Sequence, residues 1–299
     1  MPDAVTPTSS TRIRPSPRSV STSSRALPHE AERDETFVDS ADLDDVWVAR
    51  CDFCHSRGGG SAPLAQSSQD SVATPDIVHV RDDLNQPTLM FQTESDLFLL
   101  NALPSNQPDS QMFRLWEVAG TAHADVYMLV TSNTDPGDGP SVAEVVEVSK
   151  TAGGVIECKK PINSGPAHWV LKAGLRGLVD WITTGTSLPE AERLAVTEER
   201  DAFQLDTLGN VLGGIRTNYV DVPVAVLSGE GQAGESFCRI FGTTSLFSDA
   251  QLSERYPTEQ AYVDAVRAST DAAVEAGFLL PTDAALIVAD TETSGIGGP

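Results

Sequence analysis

Basic residues are scarce in this sequence. Lysine and arginine number 20 against 43 aspartate and glutamate residues, so the formal net charge is −23. A nucleic-acid-binding surface needs clustered lysine and arginine to neutralise phosphates. No apolar run approaches the roughly 18 residues of a membrane span, and the N-terminus carries no apolar signal segment. We therefore expect no nucleic-acid partner and no membrane insertion. The sequence does not predict the oligomeric state.

Cysteine is also scarce. The four cysteines are too few and too scattered for a disulfide framework: Cys51, Cys54, Cys158 and Cys238. We therefore predict reduced thiols and a cytoplasmic location.

The pattern Cys51-x-x-Cys54-His55 has the spacing of a c-type haem attachment site. Haem attachment also needs export and a further axial ligand, and zinc needs a second ligand pair, none of which the sequence contains. We expect no metal and no other cofactor.

Composition divides the chain into two parts. Residues 1–40 are rich in Ser, Thr, Pro and Arg and poor in large apolar residues, which predicts disorder. Residues 41–299 are predicted to fold. Apolar runs at 46–54, 86–93 and 112–119 indicate strands, and a helical stretch separates the last two. Strand, helix, strand is the pattern of an α/β fold.

The C-terminal half contains two clear helix patterns. Apolar residues at helical spacing predict a helix over 164–184, with Asn163 or Ser164 as its N-cap and Gly185 at its end. A second helix is predicted over 258–276. Glycine pairs between the two helices indicate tight turns: Gly209-Asn210 and Gly213-Gly214.

Two chemically useful side chains follow the apolar strands directly. Asp96 lies just beyond 86–93, and His123 lies just beyond 112–119. Parallel strands end at one edge of a sheet, so this placement predicts a carboxylate beside an imidazole. Such a carboxylate fixes the imidazole tautomer and stabilises the imidazolium formed in base catalysis. Glu94 is the alternative acid.

Several segments together resemble one family. They are CDFCHSRGGGSAPL (51–64), PTLMFQTESDL (87–97), FRLWEVAGTAHADVY (113–127), INSGPAHWVLKAGLRGLVDW (162–181), GNVLGGIRTNYVDVPVAVLSG (209–229) and GFLLPTDAA (277–285). This set is similar to a poorly characterised family of bacterial α/β-hydrolase domain proteins. The resemblance implies a partial, mostly parallel α/β-hydrolase sheet over 41–135 and a family-specific helical or mixed region over 136–299. It also implies ester hydrolysis by a Ser/His/acid triad, with His123 as the base and a small ester-like molecule as the substrate.

The nucleophile of such a triad is missing from the pattern. The sequence contains no G-x-S-x-G elbow, and Ser61 in Gly59-Gly60-Ser61-Ala62-Pro63 is the nearest serine. We therefore expect a truncated hydrolase with little activity, or alternatively a non-catalytic remnant or a small-molecule binding module. Two further residues have open roles. His168 either is structural or lines the substrate pocket, and Arg216 binds either a substrate carboxylate or an internal carboxylate.

Overall fold

The fold contains a parallel sheet built on two strands that follow one another along the chain. The computed structural model describes residues 77, 79–81, 83, 85–131, 149–152, 156–233 and 236–298. Strands β1 (Thr88–Thr93) and β2 (Phe113–Val118) pair in parallel, with Thr93 opposite Val118. Ile215 extends this sheet on the far side of β2, because its N–H donates to the Glu117 carbonyl at 2.7 Å. The predicted α/β class and parallel strand pair are confirmed.

The remaining regular elements either lie in the connection between β1 and β2 or follow β2 along the chain. Two short antiparallel ladders join β3 (Thr151–Ala152) to β4 (Ile156–Glu157) and β5 (Ala225–Ser228) to β6 (Thr243–Leu246). The α-helices are α1 (Glu94–Phe98), α2 (Ala167–Thr184), α3 (Asn218–Asp221), α4 (Asp249–Arg255), α5 (Glu259–Glu275) and α6 (Pro281–Thr291). Helical turns of other types are the 3-10 turns Leu103–Ser105 and Ser236–Ile240 and the π-helical turn Tyr127–Thr131.

The two long predicted helices are present with nearly the predicted bounds. Helix α2 ends at Gly185, whose φ of 80° is the left-handed conformation that glycine adopts most easily. The Thr258 side chain caps α5 by accepting the Ala261 N–H at 3.1 Å. The start of α2 differs from the prediction, because its N-cap is Pro166 and no side chain caps it. Asn163 is instead used in the site described below.

Helix α2 covers one face of the central sheet. Its buried side chains Val170, Leu178 and Trp181 pack with Leu89 of β1 and Trp116 of β2. The approach is close at Gly174, because a Cβ there would lie 2.9 Å from a Leu89 methyl group and 3.1 Å from the Trp116 ring. Trp116 and Trp181 are core residues, with 0% and 5% of each residue exposed. This packing fixes the strands whose ends carry the site.

The prediction of four reduced cysteines is wrong for two of them. Cys158 and Cys238 form a disulfide, with Cα atoms 5.7 Å apart and 80 residues of separation along the chain. Both are buried beside Ala124, Val126 and other apolar residues. Disulfides are rare in cytosolic proteins, so this bond does not support the cytoplasmic location, which stays a prediction.

Some of the predicted features lie outside the described residues. They are residues 1–40, the strand over 46–54, the Cys51-x-x-Cys54-His55 pattern and Ser61. Among the residues that are described, no helix has the length and apolar character needed to cross a membrane. The same residues contain no group of three or more His, Cys, Asp or Glu side chains arranged to hold a metal ion.

Candidate active site

The structure brings Asp96 and His123 together. The Nδ1 atom of His123 lies 2.8 Å from Oδ1 of Asp96, which is the contact predicted from their positions beyond the two strands. The Asp96 side chain is 3% exposed and the His123 side chain is 20% exposed. In the tautomer that carries its proton on Nδ1, the ring donates that proton to the carboxylate and Nε2 is its acceptor nitrogen. The pair therefore has the arrangement of a general base with an orienting carboxylate.

Thr93, the last residue of β1, holds Asp96 in place. Its second oxygen, Oδ2, accepts the Thr93 N–H at 2.7 Å and the Thr93 hydroxyl at 2.8 Å. Thr93 is the N-cap of α1 and Asp96 its third residue, so the carboxylate caps the helix while binding His123. Each carboxylate oxygen thus has a defined partner, and rotation of the side chain would break contacts on both.

The segment that carries His123 leaves β2 through a sharp turn. Gly120 has a φ of 74°, and a Cβ there would lie 2.6 Å from a Val220 methyl group. The Thr121 hydroxyl donates to the Val118 carbonyl at 2.6 Å, and the Ala124 N–H donates to the Ile240 carbonyl at 3.3 Å. The turn is therefore anchored on both sides of the histidine.

Glu94 does not contact the histidine in this arrangement but binds two glycines. Its Oε1 accepts the Gly120 N–H at 2.6 Å and its Oε2 accepts the Gly229 N–H at 2.7 Å. Burial raises the pKa of this carboxyl group to about 8, and the two N–H bonds oppose that rise. Between the two acids considered from the sequence, Asp96 is the one that contacts the imidazole.

Sequence reasoning missed the polar network around Glu94. Ser95 donates its hydroxyl to the Gly229 carbonyl at 2.6 Å. The Asn163 side-chain amide donates to the Gly120 and Ser228 carbonyls, both at 3.1 Å. We refer to Glu94, Ser95, Gly120, Asn163 and Gly229 as the Glu94 network. Its members lie far apart along the chain, so no local spacing marks them.

A second buried carboxyl group lies close to the histidine along the chain. Asp125 is 3% exposed, and its Oδ1 accepts the Met128 N–H at 2.9 Å. Burial raises its pKa to about 7, which this N–H bond opposes. Glu94 and Asp125 are therefore two buried acids whose pKa values are raised by burial.

The remaining predicted residues have internal contacts. The His168 ring stacks on the Tyr127 ring, with centroids 3.8 Å apart and an interplanar angle of 8°. The Arg216 guanidinium pairs with Asp221 at 2.7 Å and with Asp206 at 3.3 Å. The Arg216 contacts are those of the internal ion-pair alternative, and both alternatives for His168 stay predictions.

Comparison with known proteins identifies one family. The family described as "Alpha/beta hydrolase domain" matches residues 44–289, which is more than half of the chain. Searches of curated proteins and of solved structures found no match to this chain.

Proposed function

The chain belongs to the alpha/beta hydrolase domain family, and from that premise we propose that Asp96 and His123 are the acid and base of an acyl-hydrolase site. The observation that carries this proposal is the 2.8 Å contact between His123 Nδ1 and Asp96 Oδ1 beyond the ends of parallel strands. The favoured reaction is hydrolysis of a carboxylic ester or related acyl bond in a small molecule. A fold supports many chemistries, so the argument rests on the pair as well as on the family.

The proposed reaction has two stages, and in each of them His123 accepts one proton and then gives it up. His123 Nε2 takes the proton of an attacking hydroxyl group, whose oxygen forms a bond to the acyl carbon. The imidazolium, stabilised by Asp96, then gives that proton to the leaving alcohol as the ester bond breaks. Water then gives a proton to the same nitrogen as its oxygen bonds to the acyl carbon, and that proton passes to the first hydroxyl oxygen as its bond to the acyl carbon breaks and the acid leaves. The structure supports the roles of the base and its partner in this scheme.

The attacking hydroxyl is the part of the scheme that the sequence pattern does not identify. No G-x-S-x-G elbow occurs in the sequence, and Ser61 lies outside the described residues. We therefore propose that the chain, assayed alone, turns over esters poorly. Loss of the nucleophile from a serine triad removes most of its rate acceleration.

An added alcohol offers a direct test, because it can replace the missing serine hydroxyl. The measurement is the release of p-nitrophenolate from p-nitrophenyl acetate in the presence of trifluoroethanol. We expect a protein-dependent rate that falls by about tenfold or more in His123→Ala and falls also in Asp96→Asn. His79→Ala is the matched control, since His79 is exposed and lies outside the site.

The outcomes of this test separate the proposal from its alternative. Equal rates in all four proteins would overturn the catalytic role of the pair. The absence of the elbow favours a second candidate, a small-molecule binding module. That candidate predicts binding of a non-hydrolysable ester analogue with no rate that depends on His123. Labelling of Ser61 by a fluorophosphonate probe would instead identify a nucleophile and contradict the expected low activity.

A further inference from the structure

Two contacts join the helix that carries Asp96 to the segment that carries His123. Asp96 Oδ1 lies 2.8 Å from the imidazole, and Glu94 Oε1 lies 2.6 Å from the Gly120 nitrogen. Both acids belong to α1, and Gly120 begins the turn that leads to His123. The Glu94 contact adds to the other anchors of the turn a direct bond between α1 and the backbone that precedes His123. The helix and the turn are thus joined at two points.

The glycines bound by Glu94 are closely surrounded. A Cβ on Gly229 would lie 2.5 Å from the Ser95 nitrogen and 2.6 Å from the Thr121 carbonyl oxygen. Ser95 binds the Gly229 carbonyl while Glu94 binds its N–H. The Gly229 backbone thus lies directly against the backbone of Ser95 and Thr121 with no room for a side chain, and Glu94 binds the N–H groups of both glycines.

The same network closes on the other side of the histidine turn. Glu94 accepts the Gly120 N–H, and Asn163 donates to the Gly120 carbonyl at 3.1 Å. Both polar groups of the Gly120 backbone are therefore bound by buried side chains. Since Glu94 and Asn163 are both 0% exposed, these bonds are not exchanged with water.

We infer that Glu94 is a positioning residue, which holds the His123 turn against the Asp96 helix and so sets the imidazole–carboxylate contact. This inference rests on the proposed function of the pair. Its physical basis is that an error of about 1 Å in a catalytic contact can cost on the order of 10²-fold in rate. Glu94 touches neither reacting atoms nor substrate in this role and acts through His123.

The experiment compares two buried glutamates. Glu94→Gln replaces one oxygen by an amide that donates, so one glycine N–H then faces a donor. Glu117→Gln is the matched control, because Glu117 is also 0% exposed and also accepts a backbone N–H, that of Leu194 at 2.7 Å. The structural readout is the low-field proton signal of His123 Nδ1 by NMR with labelled histidine. The kinetic readout is the His123-dependent rate with trifluoroethanol.

We expect Glu94→Gln to lose the Nδ1 signal and to lower the rate by about tenfold or more, toward the limit given above. Glu117→Gln is expected to retain both readouts. A folded Glu94→Gln protein with both at the wild-type level would overturn the inference, as would equal losses in the two variants. If the wild-type protein lacks the Nδ1 signal, the proposed pair itself fails, which is a distinguishable result.

A milder variant serves if Glu94→Gln does not fold. Ser95→Ala removes the hydroxyl bond to the Gly229 carbonyl and leaves the Glu94 carboxyl group intact. We expect a weakened Nδ1 signal and a smaller fall in rate. Unchanged signal and rate in folded Ser95→Ala protein would overturn the part of the inference that runs through Gly229, and the Glu94–Gly120 bond alone would then have to position the turn.

Discussion

At the scale of single residues, Asp96 uses one carboxylate for two purposes. Its Oδ2 caps α1 through Thr93, and its Oδ1 binds His123. The placement of Asp96 and His123 just beyond two strands predicts the pair, and the structure adds the cap at Thr93. Combining the two in one side chain means that the catalytic geometry and the start of the helix cannot vary independently.

The first prediction concerns Asp96→Asn. The amide retains one acceptor oxygen, so it cannot accept from Thr93 and from His123 together with the strength of a carboxylate. We expect a loss of about 1–3 kcal/mol in the free energy of unfolding, measured by denaturant titration. Asp249→Asn is the control, since Asp249 is exposed in the first turn of α4 and should change stability by less than about 0.5 kcal/mol. Equal losses would contradict the dual role.

The second prediction concerns pH and two buried acids. Folding raises the pKa of Glu94 from 4.5 to about 8 and that of Asp125 from 3.8 to about 7, in both cases mainly by burial. The folded state therefore binds more protons than the unfolded state between these values. Their contribution to stability is fully present below about pH 4 and is lost as the pH rises to about 8.

We accordingly expect the melting temperature to fall between pH 5 and pH 8.5. The net charge of −23 acts in the same direction through self-repulsion, so the variants must isolate the buried acids. Asp125→Asn and Glu94→Gln should each flatten the slope, whereas Glu254→Gln, at an exposed position, should leave it unchanged. A slope that is identical in all four proteins would refute the assignment to Glu94 and Asp125.

At the scale of elements, the spacing of apolar residues predicts the strands and the helix that pack on one another. The apolar runs at 86–93 and 112–119 contain β1 and β2, and the helical spacing after Ser164 contains α2. The start of α2 was predicted less well, because Asn163 binds Gly120 instead of capping the helix. A capping residue is predicted from neighbouring positions alone, and here Asn163 instead contacts a residue that is distant along the chain.

The third prediction tests the packing of α2 on the sheet. Leu178 is 2% exposed and contacts the sheet core, whereas its neighbour Val179 is 53% exposed. Leu178→Ala should cost about 2–5 kcal/mol of unfolding free energy, because it removes buried apolar surface and leaves a cavity. Val179→Ala should change it by less than about 0.5 kcal/mol. Comparable effects in the two variants would mean that the helix presents a different face to the sheet.

At the scale of the whole molecule, contacts between residues distant in sequence account for what the sequence did not predict. The Glu94 network joins residues 94–95, 120, 163 and 229, and the disulfide joins Cys158 to Cys238. Composition and spacing describe local order, and pairings across such separations depend on how the elements pack. The predicted contact between Asp96 and His123 is an exception, because the parallel pairing of two strands determines it.

The last prediction concerns the disulfide and the histidine turn. Cys158 and Cys238 pack against Ala124, and the Ala124 N–H donates to the Ile240 carbonyl, so the bond lies within the anchor of the His123 segment. Closing a chain segment of 80 residues lowers the entropy of the unfolded state. On the chain-entropy estimate this contributes ~4 kcal/mol to stability, within a general range of about 0–5.

We expect the double variant Cys158→Ser/Cys238→Ser, or treatment with dithiothreitol, to lower the melting temperature by on the order of 10 °C. Hydrogen exchange at the Ala124 amide should also accelerate, because the Ile240 carbonyl that it contacts loses its covalent support. Cys51→Ser/Cys54→Ser is the matched control and should retain both the melting temperature and a cross-linked peptide in unreduced digests. Absence of that peptide from the wild-type protein, or equal melting temperatures with and without reductant, would contradict the role assigned to this bond.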